Sequence, residues 1–287
     1  MLGGTGRLGR AVSAELTRRM RPFDAPPRSA FDLTDLAAIR ARIGALRPAA
    51  VLNLAAFTDV AAAELPENHG AAIALNADLP AALATACARI AIPFVHVSTD
   101  YVFDGVKTTP YLEGDSVNPL QVYGATKLDG ERAALAKNPA SLILRVSTLY
   151  GPGRSHRPAY ADAILAQARA RAAEGGGTLE VVEAPVSSPT YAPDVAPVLI
   201  DLLDRGATGI IHTVNDGAAS RLELATAVVA LAGFGDRVAV RDRPESPGAL
   251  QRPAYSVLDT TKLYELLGRR LPSWRDALER YVREVHS

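Results

Sequence analysis

Apolar positions in the first half of this chain follow two alternating spacings. From Leu8 to Met20 they recur with the three- to four-residue period of an amphipathic helix. Thr34 or Asp35 can cap a second helix running to about Leu46, since a short side-chain oxygen satisfies the first free N–H groups. Ala49 to Ala56 is instead a short continuous apolar run, as in strands buried on both faces. A helix around Pro80 to Arg89, a strand from Pro93 to Val97, a helix from Tyr123 to about Ala136 and a strand from Ser141 to Val146 continue the alternation. Repeated units of this kind predict an α/β fold with a doubly wound parallel sheet. Between Thr99 and Val122 lies a connection rich in aromatics, glycine and proline, long enough to predict a functional role.

The texture changes after Gly151. A polar loop spans Gly151 to Pro158, a helix is predicted from about Ala159 to Glu174, and Gly175, Gly176 and Gly177 break the chain. Further helices are predicted from Asp194 to Arg205 and from Ser220 to about Leu231, with a strand from Gly209 to Thr213 between them. Asp259 to Leu263 and Trp274 to Glu284 read as two last helices. No long linker or internal repeat interrupts the chain, so the C-terminal part is expected to pack on the first as a smaller lobe.

Two motifs bring chemistry to this frame. Gly3, Gly6 and Gly9 stand in a Gly-Gly-Thr-Gly-Arg-Leu-Gly stretch. Glycines so spaced let the backbone turn tightly and approach a pyrophosphate at a helix N-terminus. Tyr123 and Lys127 lie four positions apart and so share a helix face. Ser98 and Thr99 end the strand upstream. Together these supply a phenolic acid, a neighbouring cation and a hydroxyl to hold a carbonyl, the groups that ketone reduction requires. A lysine ammonium beside the phenol is expected to draw its pKa down from about 10 toward working pH. The organisation expected is a dinucleotide-binding domain over 1–150, with 186–213 contributing, and a substrate-binding lobe from 151–185 and 214–287.

Composition narrows the partners. With 31 basic and 31 acidic side chains in 287 residues the net charge is zero, which gives no general affinity for nucleic acid or an anionic membrane. One cysteine, Cys87, excludes an intrachain disulfide and a cysteine-based zinc site. His96 and His212 sit inside predicted strands and read as satisfied core residues, while His69, His156 and His286 lack metal-ligand spacing. No metal site is expected on this basis. No apolar run is read as long enough to span a bilayer and no secretion signal is read at the start, which predicts a cytoplasmic protein.

Longer matches carry a resemblance. Ser98-Thr-Asp-Tyr-Val-Phe-Asp-Gly105, Tyr123-Gly-Ala-Thr-Lys-Leu-Asp-Gly-Glu131, Arg145-Val-Ser-Thr-Leu-Tyr-Gly151, Ser188-Pro-Thr-Tyr-Ala-Pro-Asp194 and Arg252-Pro-Ala-Tyr-Ser-Val-Leu-Asp259 together resemble the extended short-chain dehydrogenases/reductases. Within them they are most similar to the sugar-nucleotide reductases of the dTDP-4-dehydrorhamnose reductase family, over nearly the whole length. The resemblance implies a Rossmann-like fold and NADPH-dependent reduction of a nucleotide-linked 4-ketosugar in deoxysugar (dTDP-rhamnose) biosynthesis. It leaves NADH open as cofactor and allows magnesium at an acid such as Glu183, and a homodimer. It implies a catalytic trio of Thr99, Tyr123 and Lys127, with Gly3, Gly6, Arg7, Leu8 and Gly9 at the pyrophosphate. Asn53, Ala55, Ala56 and Thr58 would line the adenosine side, with Asp32 and Leu33 near the adenine. Asn53 can instead satisfy backbone groups at a strand end, and Asp32 and Asp35 can equally be capping acids. Arg28 lies where it would meet the 2′-phosphate of NADPH, or stands as a solvated loop charge. The sugar is expected between Thr99, Tyr101, Val102 and Tyr123 on one side and the loop from Ser147 to His156 on the other. There Thr148 replaces a tryptophan common in the family, which leaves the identity of the sugar open. Arg154 and Arg157 are candidates for the substrate diphosphate, or solvated charges.

The same resemblance leaves two other outcomes, a catalytically silent NADP-binding regulatory subunit and a sugar-nucleotide epimerase or dehydratase. Only Met1 and Leu2 precede Gly3, too few for the first strand of such a sheet. A truncated first strand is therefore expected, with further apolar residues upstream in the natural chain.

Overall fold

The computed structural model describes residues 1–27, 29, 31–153 and 158–286. The first helix, α1 (Arg7–Arg18), starts at an extended Gly6 and buries Leu8, Val12 and Leu16 on one face. Helix α2 (Leu36–Leu46) is capped by Asp35, whose carboxylate accepts from the Ala37 and Ala38 N–H groups at 3.1 and 2.9 Å. Strand β1 (Val51–Asn53) leads to the single turn α3 (Val60–Ala63). Helices α4 (Pro66–Ile73) and α5 (Leu79–Arg89) are joined by a π-helical turn over Ala74–Asp78.

The union of α4 and α5 corrects one expectation. Pro66–Arg89 is a helix of 24 residues with mean hydropathy 1.4, long and apolar enough by length and composition to cross a membrane. The sequence reading began a helix only around Pro80, but proline is tolerated in the first turn of α5 and the helix extends upstream of it. More than half of its most apolar stretch is buried inside the protein, 56%. Packing against the sheet thus accounts for its apolar face. Asn76 in the π turn is fully buried and holds Phe57 through its backbone N–H (2.9 Å) and carbonyl (3.1 Å).

The main sheet takes β2 (Phe94–Thr99) and β3 (Leu142–Val146), with α6 (Val122–Lys137) between them in sequence. Its order is β1-β2-β3-β8, all parallel, β8 being Gly209–His212. Leu2 lies parallel against Asn53, its N–H donating to the Leu52 carbonyl at 2.9 Å. Met1–Leu2 thus brings the glycine loop to the sheet edge. Residues 21–27 form no strand.

The rest of the chain comprises β4 (Leu149–Tyr150), α7 (Tyr160–Ala173), β5 (Gly177–Val181), β6 (Val186–Ser187), β7 (Thr190–Tyr191) and α8 (Ala192–Asp204) before β8. After it come β9 (Ala219–Ser220), α9 (Arg221–Leu231), β10 (Val238–Asp242), α10 (Thr261–Leu267) and α11 (Trp274–His286). Strands β5 and β10 pair in parallel, a pairing the sequence reading missed because both are short and partly exposed. One face of the main sheet is covered by α1 and α8, where Val12 and Leu16 meet Val195 and Leu199. The other buries Ile39, Leu83 and Ile143 from α2, α5 and β3. A separate core gathers Ile164 and Leu165 of α7, Leu179, Val228, Trp274 and Tyr281. The two are bolted by Arg7 of α1, which pairs with Asp162 of α7 at 2.6 Å. Leu263 of α10 returns to the first core.

Candidate active site

The glycine loop is shaped by close backbone approach. Gly3 has φ +79°, and a Cβ there would stand 2.6 Å from the Ala55 nitrogen and Leu54 carbonyl carbon. A Cβ on Gly9 would stand 2.1 Å from the Gly3 carbonyl oxygen. Real side chains do not come this close, so the loop needs glycine at both places. Gly6 donates its N–H to Gly3 O at 3.1 Å and leads into α1 without a side-chain cap. Free first-turn N–H groups and the helix dipole suit that end to an anion.

Neighbouring candidates fall on both sides of their expected roles. Ala55 and Ala56 are half-buried beside the loop, and Thr58 is exposed. Arg7, expected at the pyrophosphate turn, directs its side chain to Asp162, whose second role is to accept the Ala159 N–H at 2.9 Å. Leu8 turns its side chain into the core under the sheet, which leaves only its backbone to the loop. Asn53 is fully buried, with Nδ2 3.1 Å from His96 Nδ1 and Oδ1 accepting from Ala55 N at 3.3 Å. It satisfies polar groups at the strand end. Asp32 is exposed and closes a turn on the Thr34 N–H and hydroxyl, both at 2.8 Å. Those bonds hold its carboxyl below the usual range. Leu33 packs beside Ile39. Arg28, Arg154 and Arg157 lie outside the described residues.

Thr99, Tyr123 and Lys127 do converge. The end of β2 and the first two turns of α6 bring the Tyr123 phenol beside the Thr99 hydroxyl. Tyr101 meets Tyr123 edge-on, with ring centres 6.0 Å apart. Lys127 is buried, donating to the Val97 carbonyl at 2.6 Å and lying 3.2 Å from His96 Nε2. Burial draws its ammonium down to about 7, against the opposing pull of Glu131.

The phenol departs from expectation. Burial, with Asp100 and Tyr101 adding to it, pushes Tyr123 above its ordinary 10.0, and the neighbouring Thr99 hydroxyl acts downward. Lys127 does not lower it, because the ammonium is directed to Val97 and His96 on the sheet side. His96 is itself held neutral by burial and by the Lys127 charge.

Asp100 organises the strand end. It is buried and accepts from Ser147 at 2.7 Å, Ser256 at 2.6 Å and Thr99 at 3.0 Å. Three donors oppose the rise that burial imposes on its carboxyl, and burial prevails. The acid therefore pins two distant segments, those of Ser147 and Ser256, beside Thr99.

On the substrate side, Tyr101 and Thr148 line a cavity of about 170 Å³ together with Tyr160, Ser187, Ser220 and Arg221. Thr148, with φ +37°, hydrogen-bonds Ser187 at 2.8 Å. Val102 is not part of this wall. The turn Asp100–Val102 is 3₁₀, and it directs Val102 into the core with Phe103 and Tyr111. Sequence reasoning missed Tyr160, Ser187, Ser220 and Arg221, which lie in segments without a local motif. His212 is buried with Nδ1 3.1 Å from the Asp259 carbonyl, while Nε2 has no partner. Among the described residues no three His, Cys, Asp or Glu side chains gather to hold a metal, and Glu183 is exposed.

Comparison with known proteins agrees with this geometry. The family model described as the RmlD substrate binding domain matches residues 1–287. A dTDP-4-dehydrorhamnose reductase from Mycobacterium tuberculosis is 37% identical over 286 residues, covering 96% of this chain and 89% of the relative. The crystal structure of a dTDP-4-dehydrorhamnose reductase from Clostridium acetobutylicum superposes with a TM-score of 0.90 at 30% identity, covering 100% of this chain and 98% of that one. The dTDP-4-dehydrorhamnose reductase of Bacillus anthracis, solved in complex with NADP, gives a TM-score of 0.89 at 27% identity, covering 99% and 97%.

Proposed function

The chain belongs to the RmlD substrate binding domain family, and from that premise we propose that it reduces a nucleotide-linked 4-ketosugar with NADPH, as a dTDP-4-dehydrorhamnose reductase of deoxysugar biosynthesis. The observation that carries the reading is the Tyr123 phenol set beside the Thr99 hydroxyl, with Lys127 buried behind them. A catalytically silent subunit has no use for all three.

The glycine loop fits the cofactor: a Cβ at Gly3 or Gly9 would collide with backbone, and the uncapped start of α1 offers N–H groups to a pyrophosphate. Ala55 and Ala56 leave room beside it. NADPH supplies the hydride. Thr99 holds the ketone oxygen by its hydroxyl, and Tyr123 gives that oxygen its proton as negative charge develops there. A phenol whose pKa is raised stays protonated until that moment. Lys127, whose charge burial has made marginal, would hold the nicotinamide ribose once its ammonium leaves the Val97 carbonyl. Arg28 is the residue assigned to the 2′-phosphate.

We assign 1–150 and 186–213 to cofactor binding, and 151–185 and 214–287 to the substrate lobe, with α10 crossing back to the sheet. The test is to mix the protein with NADPH or NADH and a panel of nucleotide 4-ketosugars while following the absorbance of reduced cofactor. Turnover faster with NADPH and confined to 4-ketosugars is expected. Absence of turnover with every ketosugar overturns the reading.

A further inference from the structure

Three buried polar side chains stand in a line at the sheet end of the catalytic centre. Lys127 Nζ lies 3.2 Å from His96 Nε2, and His96 Nδ1 lies 3.1 Å from Asn53 Nδ2. Each is at most 1% exposed, so solvent does not repair a poor bond there. Asn53 and His96 are register partners on β1 and β2, and the imidazole stacks on Phe94. The Asn53 amide is oriented by its oxygen, which accepts from the Ala55 N–H at 3.3 Å. Its NH2 group therefore faces Nδ1.

A neutral imidazole carries one N–H, and burial, the larger of its causes, holds His96 neutral. The Asn53 main-chain carbonyl opposes that burial, but a ring proton on Nδ1 would serve it only by facing the amide NH2. Nδ1 is thus the acceptor, and the ring proton sits on Nε2, opposite Lys127. An ammonium has three N–H bonds and no lone pair. It would set N–H against N–H in a place closed to water. An amine instead accepts from Nε2–H and still donates to the Val97 carbonyl, 2.6 Å away.

The surrounding charges permit this. Among the described residues Glu131, one turn on along α6, is the acid acting on Lys127, and Arg145 of β3 already holds it by bonds of 2.9 and 2.7 Å. Asp100 is engaged by three hydroxyls, and Glu64 accepts the Val122 N–H at the start of α6. Tyr123 on the same helix and Asn76 of the π turn, bonded to Thr126, are neutral. Burial takes Lys127 the same way, down to about 7.

We propose that Asn53 and His96 are positioning residues that hold Lys127 as a neutral amine, and that the lysine takes one proton from solvent when it leaves Val97 for the nicotinamide ribose. No bond to carbon changes: one proton passes from the buffer to Nζ. The charge then arises where ribose hydroxyls accept from it, instead of standing unpaired beside the sheet. The uptake rests on the cofactor reading above.

The test has two parts, both read without turnover. Nitrogen NMR of isotope-labelled histidine rings, with His96 assigned by its loss in His96→Gln, should show the His96 proton on Nε2. Calorimetry of NADPH binding in buffers of different ionisation enthalpy counts protons, and at about pH 8.5 an uptake of about one per NADPH is expected. Lys127→Arg, whose charge is permanent, should bind without uptake. His96→Gln can turn an amide oxygen to the ammonium, so its uptake should fall to less than about half that of wild type. A merely structural histidine would change melting temperature and affinity while leaving the proton count alone. If a variant melts early or loses NADPH, the wild-type tautomer and proton count carry the test. A ring proton on Nδ1, no uptake by a wild type that binds NADPH, or uptake persisting in Lys127→Arg would overturn the proposal. A wild type that binds no NADPH would sink the cofactor reading and the uptake with it, leaving the His96 tautomer to decide the neutral amine.

Discussion

The cofactor wall and the substrate wall of this centre are built by different means. On the cofactor wall the glycines stand close in sequence, and Gly3 meets Leu54 and Ala55, and Gly9 meets Gly3 and Gly4, backbone to backbone. Its fit is steric, and a single methyl group destroys it. On the substrate wall, Tyr101, Thr148, Ser187 and Arg221 come from four separate segments and meet through side chains. Its fit is polar, and a substitution there leaves the backbone in place while changing what is recognised. Tyr123 and Lys127 lie between the walls and answer to both.

The largest expected effect falls on the shared residue. Tyr123→Phe should lower kcat by about 10²–10⁴-fold, the span of a positioned acid. NADPH affinity should hold, since the ring is kept. Near-normal turnover in stopped-flow assays would remove Tyr123 from its role.

Gly9→Ala should break the cofactor wall alone. Its new methyl would meet the Gly3 carbonyl oxygen and the Gly4 backbone. Forced shifts of this kind cost about 1–3 kcal/mol, and NADPH binding should weaken with the melting temperature. Gly44→Ala is the control. Gly44 lies in α2 with nothing within 4 Å of the added carbon, so alanine should stabilise by about 0.5–1 kcal/mol. Equal destabilisation of both variants in urea titrations would show that the glycine loop has no special steric demand.

Lys127 gives a subtler, pH-dependent signature. Its folded pKa, about 7, lies below the ordinary 10.5. Between those values the unfolded chain binds more protons, so stability rises with pH. This contribution is fully present above 10.5 and is lost as pH falls through 7. Lys127→Met should flatten the dependence, read as the difference in urea midpoint between the two proteins from pH 6 to 10. Parallel curves would show that the buried lysine keeps its ordinary pKa.

The contrast between the walls also decides what could be read in the sequence. Thr99, Tyr123 and Lys127 were legible because one strand end and one helical turn fix them. The glycine loop was legible for the same local reason, as was the parallel sheet from its apolar runs. The network that holds Thr99 was not. Ser147 and Ser256 reach Asp100 from 47 and 156 residues away, and no spacing announces such meetings. Val102 was misplaced because the 3₁₀ turn after β2 gives Tyr101 and Val102 opposite directions. Arg7 and Leu8 stand at the glycine turn, with their side chains directed elsewhere. A motif names the backbone that meets the ligand, while the side chains at those positions belong to Asp162 and the core.

The central claim is that hydride and proton meet across one ketone held by Thr99 and Tyr123. The most direct measurement uses NADPH deuterated at the transferred position with dTDP-4-dehydrorhamnose, reading the sugar product by NMR. One deuterium on the fourth carbon for each NADPH oxidised is the predicted result. Cofactor oxidation without deuterium at that carbon, or no oxidation by the folded protein, would contradict it.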